Sequence, residues 1–272
     1  MIPLRVEHLH FAYNGAPALA DVSLTIAPGE FVAIVGQNGS GKTTLVKHFN
    51  GLLKPTRGRV WVADCETGPL AVADLARQVG YVFQNPDHQI SQATVRAEIA
   101  FGLHNLGFAD GEAAQRTAEA LAAFGLEACA DRPPAVLGFG IRRKVALAGV
   151  CVLRPPVLIL DEPTNGLEAR AADEVLQLAE RLCAEGHTIL LISHDMRRVA
   201  AHARRCVLLK QGRIVRDAPT PEVFADVQGL AEARLAPPPV TQLAQTLQWG
   251  TPLTPGQFYD EYARRRAKAA TP

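Results

Sequence analysis

Cysteine is scarce and scattered in this sequence of 272 residues. Cys65, Cys129, Cys151, Cys183 and Cys206 form no C-x-x-C pair. That removes the paired-thiol motifs and leaves plain buried thiols in a reducing cytosol. Excess charge is also missing, with 28 Lys and Arg against 27 Asp and Glu. A general nucleic-acid binder would be strongly basic, so that class is set aside. No apolar run is long enough to span a bilayer. The most apolar region, 145–160, is interrupted by Arg154-Pro155-Pro156. The opening Met1-Ile2-Pro3-Leu4-Arg5 lacks the pattern of a secretory signal peptide. Any membrane role is therefore expected to run through a partner. What is plentiful is apolar residue, at 48%, enough for a proper core. The length allows one large domain, or one domain with a small appendage.

Gly36-Gln37-Asn38-Gly39-Ser40-Gly41-Lys42-Thr43-Thr44 organises the chain. It reads G-x-x-x-x-G-K-[ST], the phosphate-binding P-loop pattern. The apolar run Phe31–Val35 before it reads as a buried strand. After it, Leu45, Val46 and Phe49 share a helical face, and Gly51 is placed to end that helix. Glycines let the backbone curl so that successive N–H groups face a phosphate, and a helix N-terminus adds partial positive charge. Lys42 can reach the β- and γ-phosphates, and the Thr43 hydroxyl can ligate Mg²⁺.

Along the chain, Val6, Leu9 and Phe11 run into the turn Ala12-Tyr13-Asn14-Gly15, and Val22, Leu24 and Ile26 alternate as a half-buried strand. Tyr13 can stack on an adenine or simply pack at a strand end. The segment 54–58 reads as a loop, 60–62 as a short strand, 74–78 as a helical turn or two, and 79–83 as an apolar strand ending at Gln84. From 85 to 152 the pattern turns helical. Thr94 can cap one helix, Glu112–Phe124 forms a second stopped by Gly125, and Arg142–Val152 forms a third. This reads as a helical subdomain inserted into a parallel-sheet core.

The strand 156–160 then delivers Asp161 and Glu162 at its C-terminal end, the edge where ligands collect in open α/β sheets. Asp161 suits Mg²⁺ ligation, and Glu162 suits polarisation of an attacking water. Arg170–Cys183 is an amphipathic helix. The strand 188–192 leads to Ser193-His194-Asp195, so His194 leaves the same edge; a lone histidine is often packing, but this address lies beside a γ-phosphate. A closing hairpin over 207–215 and a short helix over 221–227 follow. The Pro-rich remainder, with Leu243, Leu247, Phe258 and Tyr262, suggests a small helical appendage ending in a basic tail, Arg264-Arg265-Arg266 with Lys268.

With Gly36–Thr44, Gln84, Asp161-Glu162 and His194 aligned, the chain resembles an ATP-binding cassette (ABC) ATPase over nearly its whole length. The resemblance implies an α/β P-loop NTPase core with a mostly parallel sheet, an antiparallel β subdomain, the inserted helical subdomain and the C-terminal helical appendage. It implies ATP and Mg²⁺ as ligands. Tyr13 becomes the adenine-stacking aromatic, Gln84 the loop glutamine near Mg²⁺ and the transport partner, Glu162 the catalytic carboxylate and His194 the γ-phosphate sensor. Gly36, Asn38, Gly39, Ser40, Gly41, Lys42, Thr43 and Thr44 hold the nucleotide, and Thr43, Gln84 and Asp161 hold Mg²⁺. A finer match lies in Val79-Gly80-Tyr81-Val82-Phe83-Gln84-Asn85-Pro86-Asp87, with Gln89 and Thr94-Val95, and in Pro237–Ala244 followed by Pro252-Leu253-Thr254. These are similar to the ATPases of energy-coupling factor (ECF) transporters. Such ATPases pair as dimers, often of two different chains, under a transmembrane coupling protein with a substrate-binding membrane protein alongside. Their cargo is a vitamin, cobalt or nickel, and they sit at the cytoplasmic face of the cell membrane.

One loop departs from the family. Its signature Leu-Ser-Gly-Gly-Gln is here Leu137-Gly138-Phe139-Gly140-Ile141. Gly138 lacks the hydroxyl for a γ-phosphate in the opposite subunit, Phe139 adds bulk, and Ile141 lacks the amide. Glu168 also stands where the family has Asp. Either this is tolerated drift, or the chain works in an asymmetric heterodimer; its own P-loop residues have no such gaps. The domain reading is 1–220 for the nucleotide-binding domain, with the helical subdomain at about 85–152, and 221–272 for a C-terminal extension that could serve dimerisation. Competing functions are another ABC transporter class, a non-transport cassette protein, and a regulatory module that holds ATP without turnover. Glu162 and His194 speak against the last.

Overall fold

A computed structural model describes residues 3–269, with the side chains of 268 and 269 left aside. Met1 and Ile2 of the opening segment, and the Lys268 side chain of the basic tail, lie outside the described residues. Two strands open the chain, β1 (Leu4–Tyr13) and β2 (Ala16–Ile26). Then come β3 (Phe31–Val35), α1 (Lys42–Val46), β4 (Arg57–Val62), β5 (Cys65–Glu66), α2 (Val72–Leu75) and β6 (Val79–Val82). The helical insert holds α3 (Val95–Asn105), α4 (Asp110–Phe124) and α5 (Phe139–Cys151). The core resumes with β7 (Val157–Asp161), α6 (Ala169–Ala184), β8 (Thr188–Ile192), α7 (Met196–His202), β9 (Arg205–Lys210) and β10 (Arg213–Pro219). Four helices close the described chain: α8 (Thr220–Ala225), α9 (Val227–Glu232), α10 (Pro239–Thr246) and α11 (Pro255–Ala269).

The strands form two sheets, as the sequence implies. Six run in the order β10-β9-β3-β8-β7-β6, parallel except for the β9–β10 hairpin, and four form an antiparallel sheet, β2-β1-β4-β5. Strands β3, β7 and β8 are buried at every position, as expected for a parallel sheet covered on both faces. Their alternate residues serve two cores. Val32, Ile34, Ile159, Leu190 and Ile192 meet Leu45, Phe49 and the antiparallel sheet. Ala33, Val35, Leu158, Leu160, Ile189 and Leu191 meet α6 and α7 through Leu176 and Val199. Val223, Phe224, Leu230 and Leu253 join that second core, so the chain beyond 220 packs into the same cluster. A third core around Ile99, Leu103, Leu121 and Val145 belongs to the helical insert.

Three local readings change. The P-loop helix is shorter than the apolar face through Phe49 implies. His48 is fully buried and its Nδ1–H donates to the Thr44 carbonyl at 2.8 Å, taking the acceptor that its own backbone N–H would use. That N–H bonds to Leu45 O instead, Phe49 N–H bonds to Val46 O, and the chain tightens into three-residue turns before Gly51. Second, β4 begins at Arg57 rather than 60, because His10 and Glu7 of β1 pair with Arg57 and Arg59. Third, α5 begins at Phe139 rather than Arg142, so Phe139, Gly140 and Ile141 form its first turn. The Phe139 ring there packs over Gly166, where a side-chain carbon would come within 2.9 Å of it. That contact outweighs the poor helix propensity of glycine.

Candidate functional site

The parallel strands end on one edge, and each of three delivers a polar residue there. The loop after β3 curls back over its own strand. A Cβ on Gly36 would meet the Leu209 carbonyl oxygen at 2.3 Å, and Gly41 adopts φ 103 at the N-cap of α1, so both positions require glycine. The loop and the strand ends enclose a cleft of about 540 Å³. Tyr13, Asn38, Gly39, Gly41, Lys42, Thr43, Thr44, Gln84, Asp161 and Glu162 all line it. Gly36 sits at the root of the loop. Ser40 is buried and faces a neighbouring cavity behind the loop with Leu209 and Glu232, not the cleft itself.

Lys42 is buried, and its ammonium donates to the Gly36 and Gln37 carbonyls at 2.8 Å each. Burial pushes it below its ordinary value, against the pull of Glu162 and Asp161. Thr43 Oγ1 donates to Asp161 Oδ1 at 3.3 Å. The other carboxylate oxygen, Oδ2, accepts the Tyr81 hydroxyl at 2.6 Å. Burial, with Asp161 beside it, pushes the Tyr81 phenol far above its usual range, so it stays a donor. The Thr43 hydroxyl and the Asp161 carboxylate lie together in the cleft that Gln84 also lines, an oxygen donor set that fits Mg²⁺.

Glu162 adopts a left-handed backbone, φ 48, which costs a non-glycine residue about 1–2 kcal/mol. Its N–H donates to the Ile192 carbonyl at 3.0 Å, and the turn brings Oε1 to 2.8 Å from His194 Nδ1. The imidazole is 56% exposed and the carboxylate 8%. Glu162 lines the cleft, and its Oε2 is buried with no hydrogen-bond partner, an acceptor left unsatisfied. Tyr13, 47% exposed at the end of β1, packs edge-on against Phe11, which in turn meets the His48 ring.

Leu137, Gly138, Phe139, Gly140 and Ile141 are not brought to this cleft. Gly138 and Ile141 face solvent, and Leu137 is buried in the helical insert. Two residues that sequence reasoning left without a role do reach the site: Tyr81, on the Asp161 carboxylate, and Arg143, whose guanidinium donates to the carbonyls of Phe83 at 2.7 Å and of Gln84. For Tyr81, a tyrosine inside an apolar strand was the available signal, since a buried hydroxyl needs a partner; Arg143 stands in the basic run Arg142-Arg143-Lys144, which carries no such signal.

Residues 19–165 match the family model described as ABC transporter. The chain is 39% identical to the energy-coupling factor transporter ATP-binding protein EcfA2 of Acetivibrio thermocellus, covering 98% of this chain and 99% of that protein. It spans 43% of the length of two other curated relatives, at 42% and 44% identity. Among solved structures, it superposes with a TM-score of 0.76 on cbiO1 from Clostridium perfringens, described as part of the ABC transporter complex cbiONQ; identity is 34%, covering 90% of this chain and 98% of that one. A dimeric ATP-binding cassette, MJ0796, bound to ADP and Pi, matches with a TM-score of 0.73 at 27% identity, covering 80% of this chain and 98% of that one.

Proposed function

The chain belongs to the ABC transporter ATP-binding family, and from that premise we propose that it is the ATP-hydrolysing subunit of an ECF-type importer. The observation that carries this reading is the meeting of Lys42, Thr43, Asp161 and Glu162 in one cleft at the end of the parallel sheet. Tyr13 stacks on the adenine, and the N–H groups of the loop from Gly36 to Thr44 hold the phosphates. Lys42 exchanges its two carbonyl partners for phosphate oxygens, and Thr43, Asp161 and Gln84 would hold Mg²⁺. When bound, that ion neutralises charge on the phosphate oxygens. Glu162 Oε2 accepts the proton of the attacking water, while His194, on Oε1, orients the carboxylate and meets the γ-phosphate.

No described helix is long and apolar enough to cross a membrane. The chain is proposed to work at the cytoplasmic face, carried by a transmembrane coupling protein and a substrate-binding membrane protein, importing a vitamin, cobalt or nickel. It would pair with a second cassette ATPase. The intact P-loop beside the altered 137–141 turn favours two different chains over a self-dimer. Losing one preorganised donor costs a site about 2.7–4 kcal/mol of transition-state stabilisation, and Gly138 and Ile141 lack two side-chain donors. The site closed by this turn should then hydrolyse slowly, whereas the site built from this chain's P-loop and a partner's turn should be active. Turnover of the purified chain tests this. The isolated chain is expected to bind ATP but turn over poorly. A second cassette, or the combined Gly138→Ser, Phe139→Gly and Ile141→Gln changes, should raise the rate. An isolated wild-type chain as fast as the pair refutes the asymmetry.

A further inference from the structure

Arg143 is, among the described residues, the largest side chain with no exposure, at 0%. Among the described residues it forms no ion pair with a carboxylate. Burying a charge without a paired opposite charge is unfavourable, so its partners must be well placed. They are two backbone carbonyls, Phe83 O at 2.7 Å and Gln84 O. Strand β6 pairs with β7 only as far as Val82, so both carbonyls lie just past the ladder and lack sheet partners. A planar fork of donors is suited to clamping two adjacent acceptors.

The clamp is reinforced from the same helix. Gln89 accepts the Phe83 N–H at 3.3 Å and donates to Ala146 O of α5 at 2.8 Å. Arg142 Nε lies 2.8 Å from Asp87. The segment 83–89 is thereby fastened to α5 at three points. On α5 itself, Phe139 is one turn before Arg143, and the guanidinium carbon lies 5.5 Å from its ring centroid.

We infer that Arg143 is a positioning residue: its guanidinium fixes the backbone that aims Gln84 into the cleft, and ties Gln84 to the first turn of α5. Whatever presses on Phe139, Gly140 or Ile141 then reaches the Gln84 backbone through Arg143. The inference rests on the reading of Gln84 as a Mg²⁺-contacting residue.

The test uses the full chain with Arg143→Lys, which keeps the charge but not the fork, and Arg143→Gln. Binding of a fluorescent ATP analogue in EDTA should stay within about twofold of wild type, because Lys42 and the P-loop are untouched. The Mg²⁺ concentration that half-maximally changes nucleotide affinity should rise about tenfold, as it should in Gln84→Ala. Amide hydrogen exchange over 84–90 should speed up about tenfold. The Arg143→Lys, Gln84→Ala double variant should show no further Mg²⁺ loss, since both act through one contact. Losses that add, or unchanged exchange over 84–90, overturn the inference. So does failure of both replacements to fold, which makes Arg143 a core element only. If Gln84→Ala itself leaves the Mg²⁺ dependence unchanged, the reading of Gln84 fails and carries this inference with it.

Discussion

Replacing Tyr81 with phenylalanine removes one oxygen and keeps the ring. In the wild type that hydroxyl donates to Asp161 Oδ2 at 2.6 Å, with Tyr81 8% and Asp161 3% exposed. A buried hydrogen bond to a charged acceptor contributes about 1.5–3 kcal/mol. For a chain of this size, roughly 2–4 °C of melting temperature accompany each kcal/mol, so Tyr81→Phe should melt about 3–12 °C lower in the absence of nucleotide. The second effect is on the ion. Asp161 is held from both sides, by Tyr81 on Oδ2 and Thr43 on Oδ1. Without the hydroxyl, Oδ1 is no longer fixed toward Thr43, and losing such an outer partner typically weakens a metal site about 10–100-fold. Thermal melting without nucleotide and Mg²⁺ titration of nucleotide binding measure the two effects separately. A Tyr81→Phe chain with the wild-type melting temperature and the wild-type Mg²⁺ midpoint refutes the assignment of Asp161 as a fixed ligand.

Lys42→Ala should weaken Mg-ATP binding at least about tenfold, since each charge-assisted bond to phosphate contributes about 1.5–3 kcal/mol; calorimetric titration checks it, and unchanged affinity removes the P-loop reading. His48 gives a pH signature. Burial holds its imidazole below the ordinary 6.5. The unfolded chain takes up that proton as pH falls through 6.5 while the folded chain resists, so stability is lost on acidification below about 6.5. Melting curves from pH 7.5 to 5 should show this loss in the wild type and a smaller one in His48→Asn; equal slopes contradict it.

Much of the site was legible because it is local in sequence. The loop from Gly36 to Thr44 sits between its strand and helix, and Asp161-Glu162 and His194 each follow an apolar strand of a parallel sheet, so the edge they share follows from strand polarity alone. The parallel core was legible too, from the continuous apolar runs of β3, β7 and β8, whereas the antiparallel sheet was implied by the family resemblance. What was not legible depends on packing between distant segments. Tyr81 meets Asp161 across 80 residues, and Arg143 meets Phe83 across 60. No spacing rule connects them. The end of α1 was misread because a buried imidazole takes a backbone acceptor, and helical periodicity carries no trace of that competition. The start of α5 was misread because Phe139 finds its partner at Gly166, in a loop that folds against it.

Glu162→Gln tests the central claim most directly. The amide is nearly isosteric and can keep a bond to His194, but cannot accept a proton from water. Measured on the chain in its co-purified assembly, ATP affinity should stay within about threefold, while phosphate release should fall at least about 100-fold, the lower range for loss of a general base. Phosphate release within tenfold of wild type would contradict the account, because the Glu162 carboxylate would then not be the base.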